Sequence, residues 1–284
     1  MTIPFLKMQG AANDFVVIDH RRPILPEEEE RRGALLRRMC DRRRGVGADG
    51  VLLLERGNGV DFAMRYFNAD GFPADFCGNG ARCLSRLALD LGLGNGGEVR
   101  FESAAGLQRA RRTADGRAIE LLFGTVEAAG PVESLAALGR TFAGRRARTG
   151  VPHFVVPVER VEEVPVREWG ASLRRHEAFG AGGANVDFVA RLAPGRVAMR
   201  TYERGVEDET LACGSGAMAT ALWAVAEGDR APITVRTAGG DDLIVALSPA
   251  AAGAKQFEVR LTGPAEVAFR GEWTETVPLA AAPR

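Results

Sequence analysis

Along much of this chain, runs of three to six residues rich in Val, Ile, Leu and Phe are closed by glycine-containing polar turns, a pattern that predicts short, well-buried strands. It places them at 15–18, 51–54, 63–67, 99–101, 119–123, 154–158, 187–190, 197–202, 233–237, 243–247 and 257–261. Apolar residues recurring every third and fourth position predict fewer helices, at 26–40, 79–91, 134–138 and 214–227.

The pattern also repeats itself. CGNGARC at 77–83 is answered by ACGSGA at 212–217, GAANDFVVI at 10–18 by GGANVDFVA at 182–190, and ESAAG at 102–106 by RTAGG at 236–240. Recurrence of segments in one order predicts a duplicated unit. The expectation is two similar α/β domains facing each other across a cleft, with the boundary in the polar turn at 113–117.

Each cysteine turn opens a predicted helix. Glycines keep side chains away from such a turn, so the unpaired N–H groups and the positive end of the helix dipole face whatever binds there. That is an anion site, and the same field favours thiolate over thiol, which predicts lowered thiol pKa values at Cys77 and Cys213. Cys40 and Cys83 lie in helical, amphipathic surroundings and read as small core residues.

Composition narrows the class. The 284 residues are 46% apolar, enough for a sizeable core, and 37 basic residues balance 37 acidic ones. Zero net charge gives no reason to expect a nucleic-acid or membrane partner. The arginine-rich stretch at 21–44 is interrupted by four glutamates at 27–30 and reads as a solvated helix face. The start lacks the pattern of a secretory signal, and the chain has no apolar run of about 18 residues, so a cytoplasmic protein with reduced thiols is expected. His20, His153 and His176 are scattered and Cys77 and Cys83 have no second close pair, so no metal site is expected.

Four long motifs carry a resemblance: KMQGAANDFVVID at 7–19, FNADGFPADFCGNGARC at 67–83, GANVDFV at 183–189 and YERGVEDETLACGSGA at 202–217. Together they resemble the diaminopimelate epimerases. The resemblance implies an isomerase without pyridoxal phosphate or metal that inverts one α-carbon of diaminopimelate. It also implies two pseudo-symmetric domains, each a curled mixed sheet around a central helix: residues 1–117 completed by 264–284, and residues 118–263. A homodimer is a family-level expectation.

Carried onto this chain, the resemblance makes Cys77 and Cys213 the acid–base pair, with His153 serving Cys77 and Glu203 serving Cys213. The N–H groups of Gly78, Asn79, Gly214 and Ser215 would hold the carboxylate beside the reacting carbon, where charge develops as the α-hydrogen leaves. Asn13, Asn68 and Asn185 would bind substrate, Glu203 would face an ammonium, and the planar fork of Arg204 a distal carboxylate. Val151 stands where many members carry asparagine, and Gly50 where some carry glutamine.

Two alternatives compete. A proline or hydroxyproline racemase also uses two cysteines, but typically has histidine where this chain has Asn79 and lacks the ERG step at 203–205. A non-catalytic anion-binding module would explain the glycine turns but not a cysteine at both.

Overall fold

The computed structural model describes residues 2–251 and 255–274. Its elements run β1 (Thr2–Gly10), β2 (Asn13–Asp19), α1 (Glu29–Cys40), β3 (Gly50–Glu55), β4 (Phe62–Asn68), β5 (Pro73–Ala74), α2 (Gly78–Asp90), β6 (Glu98–Ser103), β7 (Gly106–Arg112) and β8 (Ala118–Glu127). Then follow β9 (Val132–Ala137), β10 (Arg140–Thr149), β11 (Val151–Pro157), α3 (Val166–Arg174), β12 (Asn185–Ala193), β13 (Arg196–Glu203) and β14 (Asp208–Thr210). The rest are α4 (Gly214–Ala226), β15 (Ile233–Arg236), β16 (Asp242–Pro249), β17 (Gln256–Pro264) and β18 (Glu266–Thr274).

Strand pairing makes the duplication explicit. One path of hydrogen-bonded neighbours runs β18, β1, β2, β3, β4, β6, β7, β8, and continues β17, β16, β15, β13, β12, β11, β10, β9. The parallel pairs fall at equivalent places, β2 with β3 and β4 with β6 in the first half, β11 with β12 and β13 with β15 in the second. The halves join where β8 pairs antiparallel with β17. The chain's end returns to the first half, since β18 pairs with β1 from Thr274 opposite Thr2 to Glu266 opposite Gln9. Residues 275–284 of the expected C-terminal completion lie outside the described residues.

Each half wraps its strands around one helix. Asn79 to Ser85, with Leu87 and Ala88, are buried in α2, and Gly216 to Ala224 are buried in α4, whose sequence is apolar nearly all round as a surrounded helix requires. Phe15, Leu52, Phe62 and Phe101 cluster with Leu84 of α2, and Val155, Met199, Val235 and Leu261 with Leu222 of α4. The outer faces of the same strands are covered by α1 and α3, giving two further apolar clusters.

Three sequence expectations are corrected. Residues 134–138 form no helix: they fall mainly in β9, which turns into β10 through Leu138 at φ 54° and Gly139 at φ 68°, the left-handed pair of a tight hairpin. The helix α3 had no counterpart among the predicted elements. The similarity of 10–18 to 182–190 does not mark equivalent strands. In the pairing pattern β2 corresponds to β11 and β12 to β3; strands buried on both faces are apolar wherever they sit in the sheet, so a local likeness between two of them does not fix their place.

Candidate active site

The two cysteine turns become matching helix caps. Cys77 (φ −130°, ψ 114°) and Cys213 (φ −127°, ψ 112°) are extended N-cap residues of α2 and α4. The first-turn N–H groups of each helix therefore have no acceptor within that helix. Gly80 and Gly216 let each helix lie tightly on its sheet. A Cβ on Gly80 would meet Leu52 Cδ2 at 2.8 Å, and one on Gly216 would meet Asp187 Oδ1 at 2.5 Å.

On the first-half side, Cys77 is half-buried and its sulfur donates to Asn13 Oδ1 at 3.5 Å. Asn13 is oriented by Asp49, whose Oδ2 accepts from Asn13 Nδ2 at 2.5 Å, leaving Oδ1 turned toward the thiol. Asn79 Nδ2 also reaches Asn13 Oδ1 at 3.5 Å, while Asn79 Oδ1 accepts from Arg82 Nη2 at 2.9 Å. Behind them Arg42 bridges Asp14 and Asp49 at 2.7 and 2.6 Å. Burial alone would raise the Asp14 carboxyl, but hydrogen bonds from Arg42 and Lys7 hold it at about 2.

On the second-half side, Cys213 is buried; its sulfur accepts from Gly216 N–H at 3.4 Å and lies 3.4 Å from Ser215 Oγ. The helix start is tied to β10 by Thr149 Oγ1, which donates to Ser215 O at 2.9 Å. Asp187, fully buried, accepts from His153 Nδ1 and from Thr201 Oγ1, both at 2.7 Å. The other imidazole nitrogen of His153 faces Asn185 Nδ2 at 3.4 Å, and Asn185 Oδ1 accepts from the Arg204 backbone N–H at 2.8 Å. His153 thus bonds within the second half, to Asp187 and Asn185, and not to Cys77. Asp187 was not among the candidate residues; its NVDFV setting reads as an ordinary strand.

Glu203 joins the two sides. It is half-buried, accepts from Thr210 Oγ1 at 3.0 Å, and its negative charge acts on both Cys77 and Cys213. Burial raises its own carboxyl above the usual range, opposed by the Thr210 bond and by His153. Among the described residues the Arg204 guanidinium has one hydrogen bond, to Gly182 O at 3.4 Å. Asn68 ends β4 as an exposed residue opposite Gly50. At Gly50 a Cβ would lie 2.4 Å from Phe67 O and 2.6 Å from Tyr66 Cε2, so a larger side chain has no room there.

The expected lowering of the thiol pKa values is reversed. Burial raises both, Cys213 well above the ordinary thiol value, and the Glu203 charge adds to it. N–H groups of Gly80 and Asn79 at Cys77, and the Ser215 hydroxyl and Gly216 N–H at Cys213, pull the other way without prevailing. Loss of water around a small anion outweighs a few fixed dipoles. Among the described residues no group of three or more His, Cys, Asp or Glu could hold a metal ion.

Two matching half-sheets, each presenting a cysteine at the start of its central helix, define an isomerase of the racemase and epimerase class. A family model described as "Diaminopimelate epimerase" matches residues 5–129 and 146–265. A diaminopimelate epimerase of Aquifex aeolicus is 40% identical over 281 residues, covering 96% of this chain and 98% of that protein. The chain belongs to the diaminopimelate epimerase family. The fold extends to more distant structures. A phenazine biosynthesis protein of the PhzF family from Enterococcus faecalis has TM-score 0.71 at 14% identity, covering 97% of this chain and all of that one. A probable proline racemase from Agrobacterium radiobacter K84 has TM-score 0.68 at 19% identity, covering 98% and 94%.

Proposed function

We propose that this chain interconverts LL- and meso-diaminopimelate by proton transfer between two thiols across one α-carbon, a step serving lysine and peptidoglycan precursor synthesis. The observation that supports the reading is the matched pair of central helices, each capped by a cysteine, with the Glu203 charge acting on both thiols. One sulfur, as thiolate, takes the α-hydrogen while the other, as thiol, delivers a proton to the opposite face; the configuration inverts and the two sulfurs exchange roles.

The first-turn N–H groups of Gly78, Asn79, Gly214 and Ser215 hold the α-carboxylate as negative charge builds on it. Glu203 faces an ammonium and the lightly held Arg204 guanidinium takes the distal carboxylate, with Asn13, Asn68 and Asn185 contacting the remaining polar groups. His153, locked between Asp187 and Asn185, keeps the Asn185 amide in place. The expected division at 117 moves to the β8–β9 connection, because β8 extends the first half's sheet: residues up to Glu127 with β18 stand against Val132–Pro264, the site lying between them. No cofactor is needed, since acid and base are both side chains. A cytoplasmic location and a homodimer complete the proposal; among the described residues no helix is long and apolar enough to cross a membrane.

Turnover of LL-diaminopimelate in deuterated water tests it. Two thiols, each owning one face, give product labelled at the inverted carbon while substrate recovered early carries little label. Comparable label in recovered substrate points to a single shared base, and interconversion of proline isomers instead of diaminopimelate would overturn the substrate assignment.

A further inference from the structure

The two cysteine turns are nearly identical in sequence, yet each is backed by a buried ion that the other lacks. Arg82, in α2, is fully buried, and its place in the turn five residues after the cysteine is taken in α4 by apolar Met218. Asp187, fully buried under Gly216, occupies the place that Leu52 fills under the matching Gly80. The first half therefore holds a guanidinium and a leucine, the second a methionine and a carboxylate.

Packing alone does not explain either ion, because Met218 and Leu52 fill the equivalent spaces. Arg82 donates from Nε to Pro264 O at 3.1 Å and from Nη2 to Asn79 Oδ1 at 2.9 Å, but its buried Nη1 has no partner. A buried charge left partly unsatisfied is costly, and such costs are retained where the charge has work to do. Through Asn79 it reaches Asn13, the acceptor of the Cys77 sulfur. Asp187 stands beside the first turn of α4, whose cap is Cys213.

We infer that Arg82 and Asp187 are paired positioning residues that make the two thiols unequal: the guanidinium favours negative charge on Cys77, and the carboxylate keeps the proton on Cys213. This rests on the two-thiol reading above, and it names Cys77 as the sulfur that gives up its proton more readily. The surroundings agree. Cys77 is faced by Arg82 and Asn79 of α2, Asn13 of β2, Tyr66 of β4 and Glu203 of β13, so that Arg82 supplies a cation. Cys213 is faced by two carboxylates, Glu203 of β13 and Asp187 of β12, and by Ser215 of α4, while Asp187 in turn holds His153 of β11 and Thr201 of β13 at 2.7 Å. Arg82 itself is faced by Cys83 and Asp241 besides Cys77. Of the two thiols, burial and these carboxylates raise Cys213 well above the ordinary value.

Iodoacetamide alkylation of the substrate-free protein, followed by peptide mass spectrometry from about pH 6 to about pH 10, reads each thiol separately. In the wild type Cys77 should gain reactivity at lower pH than Cys213. Arg82→Met, the second half's own residue, should slow Cys77 at neutral pH by about tenfold and leave Cys213 unchanged, while Arg82→Lys restores most of the rate. Asp187→Asn, which keeps the shape, should speed Cys213 by about tenfold with Cys77 unchanged. Cys213 reacting at or below the pH of Cys77 in the wild type overturns the inference, as does an Arg82→Met protein of unaltered far-UV circular dichroism whose two thiols keep the wild-type ratio. Should Arg82→Met not fold, the wild-type order and Asp187→Asn still decide. The readout uses no substrate, so an error in the epimerase assignment would leave the thiol order intact, and an error in the thiol order would leave turnover intact.

Discussion

Glu203 directs its charge at both Cys77 and Cys213 in a site from which water is largely excluded, so both sulfurs hold their protons at neutral pH in the absence of substrate. Alkylation of either thiol should therefore be slow near neutrality and accelerate as pH rises. Glu203→Gln removes a neighbouring negative charge, so both thiols should ionise at lower pH and alkylate faster than in the wild type; slower or unchanged alkylation would place Glu203 away from them. Cys77→Ala and Cys213→Ala should each lower epimerisation by at least about 10²-fold, the loss expected for a missing acid or base. Cys40→Ala and Cys83→Ala remove buried core sulfurs that cap no helix, at a stability cost of about 1 kcal/mol with turnover retained, measurable by urea titration and a coupled assay. The cysteines were legible because the glycine context names a helix start whatever surrounds it. Asp187 was not, since its partners His153 and Thr201 reach it only through the register of β11, β12 and β13.

The β1–β2 turn illustrates strain at the level of an element. Ala11 and Ala12 are both left-handed, at φ 59° and 63°, and Ala11 packs into the apolar cluster around α4, across the boundary from its own half. Ala12→Gly should relieve the left-handed cost and raise stability by about 1 kcal/mol in thermal or urea unfolding, since Ala12 contributes only a methyl group. Beside this turn, the Asp14 carboxyl is held at about 2 against an ordinary 3.8, so its stabilisation is complete above about pH 4 and fades as pH falls toward 2. Asp14→Asn should flatten acid unfolding in that window, followed by circular dichroism; an unchanged acid limb would mean that the Arg42 bridge contributes nothing. Apolar strands were legible because both their faces are buried. β7 and β10 were not, because GLQRARR and RTFAGRRART put arginines on exposed faces and leave no apolar run to read.

For the whole molecule, the antiparallel pairing of β8 with β17 makes one continuous sheet of two repeats, and Phe123 of β8 packs against both central clusters. Mild oxidation of the empty protein should link Cys77 to Cys213 and stop turnover, reversibly on adding reductant. Peptide mapping that finds both free, or Cys77 joined to Cys83, would mean that the halves do not bring the two caps together. Local pattern by itself determined the strands buried on both faces, the two cysteine-capped helices and the existence of a repeat, since each follows from spacing and side-chain volume within a few residues. Tertiary structure alone decided which strands are equivalent, that β18 returns to β1, where the ions Arg82 and Asp187 are buried, and that both thiols stay protonated. These depend on pairing across long separations and on the removal of water, neither of which a run of neighbouring residues encodes.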